Sequence, residues 1–242
     1  MEKSKLLSAV EMPVELIVND KVLATFMATP QDLDELAIGH LLTRGLIKDI
    51  SSIEDINVDS NTYQIFVTTK DELPKKLYNV PEIIVSGTSS VDKFSDSIYE
   101  IPKIENDFSV QLSKIIEIAN IMNTQAPIYN TTGGVHAAVI MDVEKDRYFL
   151  REDIGRHCAV DKAVGAAAKE GVDLSNTFIC TTGRISLDML LKSAVVQIPV
   201  VSSLKYPSDM GVKLGDFYGI SIVARILSKE ALIYTHEERI IK

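Results

Sequence analysis

The chain has 242 residues, 46% of them hydrophobic, with a mean hydropathy of +0.12: enough apolar surface for one large domain or two small ones, and too much for a disordered chain. A net charge of −9 argues against nucleic acid as a partner, which demands a basic face, and two cysteines without C-x-x-C spacing exclude a disulfide framework and a thiolate zinc site. No apolar run reaches about 18 residues and MEKSKLLSAVEM lacks a secretory pattern, so the expectation is a cytoplasmic protein with no membrane partner.

Residues 10–28 alternate apolar and polar positions (Val14, Leu16, Val18, then Val22, Ala24, Phe26) about Asn19 and Asp20, which predicts a hairpin. Thr29 stands where it can cap a helix with Pro30 in its first turn, and Leu33, Leu36, Ala37, His40 and Leu41 recur at helical spacing until Gly45. Strand-like runs cover 52–58 and 63–68, a polar stretch ends at Pro81, and a strand from Ile83 leads into a small-residue loop over 86–90. Residues 108–122 carry a helical period through Val110, Leu112, Ile115, Ile116, Ile118 and Ala119. Beyond them the pattern allows either a helix from Val135 or a strand over 137–142. Strands are then expected at 148–150, 177–180, 199–202, 221–224 and 232–234, with helices at 157–169, 186–197 and 208–217 between them. Strand alternating with helix predicts an α/β fold with a mostly parallel sheet covered on both faces.

Two polar motifs stand out, TTGGVHAA (131–138) and REDIGRHCAVDKAVG (151–165). Each is read as a helix start, where unpaired backbone N–H groups favour an anion and Gly133 and Gly134 allow close approach. With Thr131, Thr132 and Gly134, Gly133 forms either a phosphate cradle or an ordinary tight turn. His136 and His157 each follow a glycine-bearing turn and are either structural or hydrogen bonded to ligand. Arg156 and Arg184 follow Gly155 and Gly183, so each can fork onto phosphate oxygens or a guanine edge; for Arg156 the plainer alternative is an ion pair with Asp153 or Asp161. Asp161 and Lys162 read as an internal brace. Of the thiols, Cys180 ends a buried strand, whereas Cys158 lies in the first turn of a helix, whose dipole is expected to lower its pKa, making it the candidate reactive residue.

These motifs, together with TTGRISLDMLLK (181–192), TPQDLDELAIGHLLTRGLI (29–47) and YPSDMGVKLGDFYGISIVAR (206–225), resemble the FdhD/NarQ family of formate dehydrogenase accessory sulfurtransferases across roughly residues 10–240. The resemblance implies an α/β architecture: a smaller α+β part over 1–80 and a three-layer cytidine-deaminase-like domain over 81–242, without that fold's zinc. It implies binding of the molybdenum (or tungsten) bis-pterin guanine dinucleotide cofactor, with formate dehydrogenase and a cysteine desulfurase as partners and homodimer formation as an option. The cofactor-binding residues it points to are Thr132, Gly133, Gly134, His136, Arg156, His157, Gly183 and Arg184, with the C-terminal segment Val223, Ala224, Arg225, Ile226, Leu227 and Ser228. Val223 stands where the family usually has an aromatic. The family's sulfur-bearing C-x-x-C belongs in the loop after Ile84, within 81–107, and this chain reads SGTSSVDK there: Lys93 is present and no thiol is. Two functions therefore compete, a sulfurtransferase and a carrier that holds the cofactor without sulfurating it. A nucleotide hydrolase of deaminase-like fold is a third reading, disfavoured by the lack of a metal-ligand set.

Overall fold

The computed structural model describes residues 8–73, 82–84 and 101–242, so the connection from 85 to 100, including the SGTSSVDK loop, lies outside the described residues. Strands β1 (Met12–Val18) and β2 (Lys21–Ala28) form the expected hairpin. Asn19 and Asp20 sit at φ 48° and 62°, the left-handed pair whose twist matches that of the flanking strands. Alternation buries Val14, Leu16 and Val18 completely. Helix α1 (Leu33–Thr43) begins later than Pro30, with Asp32 at φ 51° in the capping position. Thr29 is not its cap: the Thr29 hydroxyl accepts from the backbone N–H of Ile154, and its own N–H donates to Asp153 Oδ2 at 3.0 Å. Strands β3 (Ile53–Asp59), β4 (Gln64–Thr69) and β5 (Glu82–Ile84) complete a sheet of order β3-β4-β1-β2-β5.

A short strand β6 (Val110–Gln111) precedes α2 (Leu112–Gln125) and the brief α3 (Pro127–Thr132). Next come β7 (His136–Asp142), β8 (Arg147–Asp153), α4 (Arg156–Lys169), β9 (Thr177–Thr181) and α5 (Leu187–Val195). They are followed by β10 (Val200–Ser203), α6 (Asp209–Tyr218), β11 (Ser221–Ala224), β12 (Leu232–Thr235) and β13 (Ile240–Ile241), which pairs with β6. The strand option over 137–142 is the one taken. Six strands form a sheet of order β12-β11-β10-β9-β7-β8. It is mixed rather than mostly parallel: β9, β10 and β11 pair in parallel, while β7 runs antiparallel to both β8 and β9. Because β7 opposes both neighbours, β8 points the same way as β9, and the carboxyl ends of β8, β9, β10 and β11 share one edge.

Apolar residues line both faces of this sheet, which explains why it reads as unbroken hydrophobic runs. Ala138, Ile140, Ile179, Val201 and Ile222 join the core containing α1, α4 and α5; Ala137, Val139, Met141, Phe178, Cys180 and Val223 join the one beneath α2. The first core also includes Val14, Leu16 and Phe26, so the amino-terminal sheet shares it through α1.

Helices α1 and α4 cross backbone to backbone at two glycines. A Cβ on Gly39 would lie 1.7 Å from the Asp161 carbonyl oxygen, and one on Gly165 would lie 2.0 Å from that of Glu35. Close to this crossing, Asp161 accepts from Lys192 Nζ at 2.6 and 2.7 Å and from the Thr43 hydroxyl at 2.8 Å, with His40 Nδ1 at 3.4 Å. Burial would push this carboxyl up, but the Lys192 ammonium, with His40, holds it well below the usual range. Burial also lowers the pKa of His40, so its imidazole meets Asp161 as a neutral donor. Lys162, fully buried, pairs with Asp153 at 2.6 Å and donates to the Thr29 carbonyl at 2.8 Å. Asp161 and Lys162 thus brace α4 against the amino-terminal layer, not only their own turn.

Candidate functional site

The shared edge of β8 to β11 collects the loops that carry the polar motifs, as open α/β sheets do when they place ligands beyond their carboxyl ends. Sequence dictates how the TTGR turn after β9 is held. Thr182 makes two bonds to Ala137 at the start of β7, its N–H donating to the Ala137 carbonyl and its hydroxyl accepting from the Ala137 N–H, both at 3.0 Å. The Thr181 hydroxyl accepts from Gly183 N–H at 3.1 Å, and the Ser203 hydroxyl donates to the Gly183 carbonyl at 2.6 Å. Gly183 is required by proximity: a Cβ there would stand 3.0 Å from Cβ of Arg156. The turn from β9 therefore lies against the first residue of α4, and two positions 28 apart in sequence, Arg156 and Arg184, become neighbours.

Their proximity shows in their charges. Burial, then the field of Arg184, lowers the Arg156 guanidinium pKa, while Asp188 in the first turn of α5 opposes the shift. Asp153 is taken by Lys162 and Asp161 by Lys192, so the ion pairs considered from sequence for Arg156 go to those two lysines instead. Burial, then Arg156 and Lys205, depress the pKa of His136, so it is neutral near pH 7; its Nδ1 lies 3.2 Å from the Thr182 hydroxyl. Lys205 follows β10 and is exposed, as are Arg184 and, after β11, Arg225. Arg225 holds φ 53° and donates from Nη1 to the Tyr206 phenol oxygen at 2.7 Å. The edge thus presents Arg156, Arg184, Lys205 and Arg225 with neutral His136, a donor set suited to an anion with several oxygens.

Four expectations need correction. TTGG does not open a helix. It closes α3, with Gly133 as the left-handed C-cap at φ 63° and β7 starting at His136. The Thr131 and Thr132 hydroxyls donate to the carbonyls of Pro127 and Ile128 one turn back, and the α3 N-terminus is capped by Glu152, whose Oε1 accepts from Tyr129 N–H at 2.6 Å. A helix end offers carbonyls, so Thr132, Gly133 and Gly134 bring no positive pole. Cys158 is 2% exposed, and burial, aided by the carboxylates of Asp153 and Asp161, pushes its thiol well above the ordinary value, overriding the dipole. His157, an option for hydrogen bonding to ligand, is nearly enclosed: it is 5% exposed, with its pKa pulled to about 3 by burial and the charges of Lys192 and Arg156. In the carboxyl-terminal segment Val223, Ala224 and Ile226 are core residues, leaving Arg225, Leu227 and Ser228 at the surface or partly so. Sequence reasoning missed Lys205 and met Tyr206 only as the first residue of the 206–225 motif, although a Lys-Tyr-Pro turn directly after an apolar strand was a readable signal.

Both thiols of the chain are buried, and burial pushes Cys180 to about 12. Neither should therefore react with a disulfide reagent such as DTNB in the folded protein at pH 8, and both should react in guanidinium. Rapid release of one equivalent of chromophore from native protein would show that a thiol reaches solvent. Among the described residues no group of three or more His, Cys, Asp and Glu side chains is placed to hold a metal ion, and no helix is long and apolar enough to cross a membrane.

The model of the FdhD/NarQ family matches residues 9–241. Sulfur carrier protein FdhD of Xanthomonas euvesicatoria pv. vesicatoria is 27% identical, over 96% of this chain and 85% of that protein. The protein of the same name from Methanothermobacter thermautotrophicus is 28% identical, over 96% and 90%. A crystal structure from Desulfotalea psychrophila, described as a formate dehydrogenase accessory protein, superposes with a TM-score of 0.77 at 28% identity, covering 96% of this chain and 90% of that one.

Proposed function

This chain belongs to the FdhD/NarQ family, and from that premise we propose that it serves formate dehydrogenase by holding the guanine dinucleotide form of the molybdenum or tungsten pterin cofactor at the edge of its six-stranded sheet. The observation that carries the reading is the convergence of Arg156, Arg184 and Lys205 around His136 on that edge. Pyrophosphate linkages need such a set, and the donors fit it: guanidinium forks beside a hydrogen-bonded turn, with a neutral imidazole next to them. His136, whose proton is already lost near pH 7, contributes a hydrogen bond rather than a charge. The cytidine-deaminase-like description belongs to this same proposal, as does cytoplasmic residence beside the client enzyme.

The chain's own thiols favour the carrier form of this function over sulfur transfer from a cysteine desulfurase. Relatives are named sulfur carriers, yet here SGTSSVDK has no cysteine, and Cys158 and Cys180 are buried with raised pKa values. A persulfide relay requires an accessible thiolate. On this reading the protein positions and shields the cofactor while another protein supplies any sulfur.

Calorimetry with cofactor fragments tests the proposal. GDP should bind more tightly than ADP, because guanine O6 and N7 accept a guanidinium fork that adenine N6 repels. Arg184→Ala should weaken GDP binding by about 1–3 kcal/mol, the cost of a lost charge-assisted hydrogen bond, with unchanged circular dichroism because the side chain is exposed. Equal or absent binding of the two nucleotides would reject the guanine reading, and an unfolded variant would make Arg184 a structural residue.

A further inference from the structure

We propose that Tyr206 and Arg225 form a stacking platform for the planar base of the bound nucleotide, a binding element distinct from Arg156, Arg184 and Lys205, which face the phosphates. The inference rests on the nucleotide reading above and deepens it. Tyr206 and Arg225 lie on the loops that follow β10 and β11, which are parallel neighbours in the sheet. Tyr206 is 51% exposed; the Arg225 guanidinium carbon is 5.2 Å from the centroid of its ring, and Nη1 holds its phenol oxygen at 2.7 Å.

Both residues are fixed from behind. On one loop, Ser203 Oγ accepts from Lys205 N–H at 2.9 Å, Pro207 bridges to Ile185, and Ser208 N–H donates to the Ile185 carbonyl at 2.9 Å. On the other, Arg225 stands between buried Ala224 and Ile226, and Ile226 N–H donates to the Ser203 carbonyl at 3.3 Å. Flanked by two core residues, Arg225 can only point outward. Its left-handed φ of 53° is sterically disfavoured for a residue bearing a Cβ, and such conformations persist where the surroundings impose them, often at ligand clamps. The result is a tyrosine ring held at a fixed tilt by a guanidinium, at the mouth of the cationic edge. A nucleobase gains from such a surface because every base has a π-face and the tyrosine loses little freedom on stacking.

Stacking tolerates any base, which separates this element from the guanine-reading contacts. Tyr206→Ala should weaken GDP and ADP by a similar factor, about tenfold or more, leaving their ratio unchanged. Binding of inorganic pyrophosphate, which has no base, should stay close to the wild-type level because Arg156, Arg184 and Lys205 are untouched. Tyr206→Phe should retain most of the nucleotide affinity because the ring remains. If wild-type protein binds GDP and Tyr206→Ala binds it equally well, the platform is wrong while the nucleotide site stands. If Tyr206→Phe loses as much as Tyr206→Ala, the hydroxyl's hold on Arg225 matters and stacking does not. If wild-type protein binds neither GDP nor pyrophosphate, the proposed function itself fails and this inference with it.

Discussion

Gly165→Ala and Gly39→Ala should each destabilise the protein by on the order of 3–5 kcal/mol in urea denaturation, at the top of what overpacking produces. The added methyl would have to occupy space held by a backbone carbonyl of the facing helix, at 2.0 Å for Gly165 and 1.7 Å for Gly39. Backbone cannot rotate away as a side chain can, so α1 and α4 must separate and the core packed around them must loosen. Since either substitution alone forces that separation, the double variant should lose clearly less than the sum of the two. Gly133→Ala supplies a contrast. It meets open space and suffers only its positive φ, a loss of about 1–2 kcal/mol. A wild-type midpoint for Gly165→Ala would mean that the helices do not touch there.

Lys192→Met should be as damaging, by about 3–5 kcal/mol at pH 7, because it leaves the Asp161 carboxylate buried without its ammonium. The pH dependence supplies the sharper test. In the wild type the folded-state pKa of Asp161 lies below its unfolded value, so its contribution is full above the unfolded pKa, near 4, and is lost as pH falls through the folded one. In Lys192→Met the folded-state pKa of Asp161 should rise above that value, because burial then acts unopposed. The variant's deficit relative to the wild type should therefore shrink as pH is lowered from 7 to 5, where protonating Asp161 relieves the uncompensated charge. Adding Asp161→Asn to Lys192→Met should restore much of the loss. A deficit that is constant over this range would show that the pair is not electrostatically coupled.

The hairpin, the α1, α4, α5 and α6 helices and the central strands were legible because each rests on local periodicity and turn chemistry. Arg156 and Arg184 were singled out for the same local reason, a glycine followed by an arginine at a helix approach. The errors share a different cause. TTGG looked like a helix start because VHAAVIMD is alanine-bearing and unbroken, but a strand buried on both faces shows no alternation either, and only tertiary context separates the two. Cys158 sits where its dipole argument placed it, on the first turn of α4; what sequence could not show is that this turn is sunk in the core and that two carboxylates lie near the sulfur. Gly39 and Gly165 read as tolerated helix glycines until the crossing brought each onto the other helix's backbone. Tyr206 and Arg225 gained their relation from the parallel pairing of β10 and β11, which spacing along the chain does not reveal.

The lysines and aspartates of α4 and α5 also bear on how such a protein can be rebuilt. Asp161 takes Thr43 and His40 as partners, and Lys162 and Asp153 both bond to Thr29, so charges that pair with one another in the second half are solvated in part by residues more than a hundred positions earlier. A chimera that joins the first half of one relative to the second half of another would cut through this set, and its success depends less on the graft point than on whether Thr29, His40, Thr43 and the close-packed Gly39 travel with their counterparts. The halves are thus heritable as a unit, not interchangeable modules.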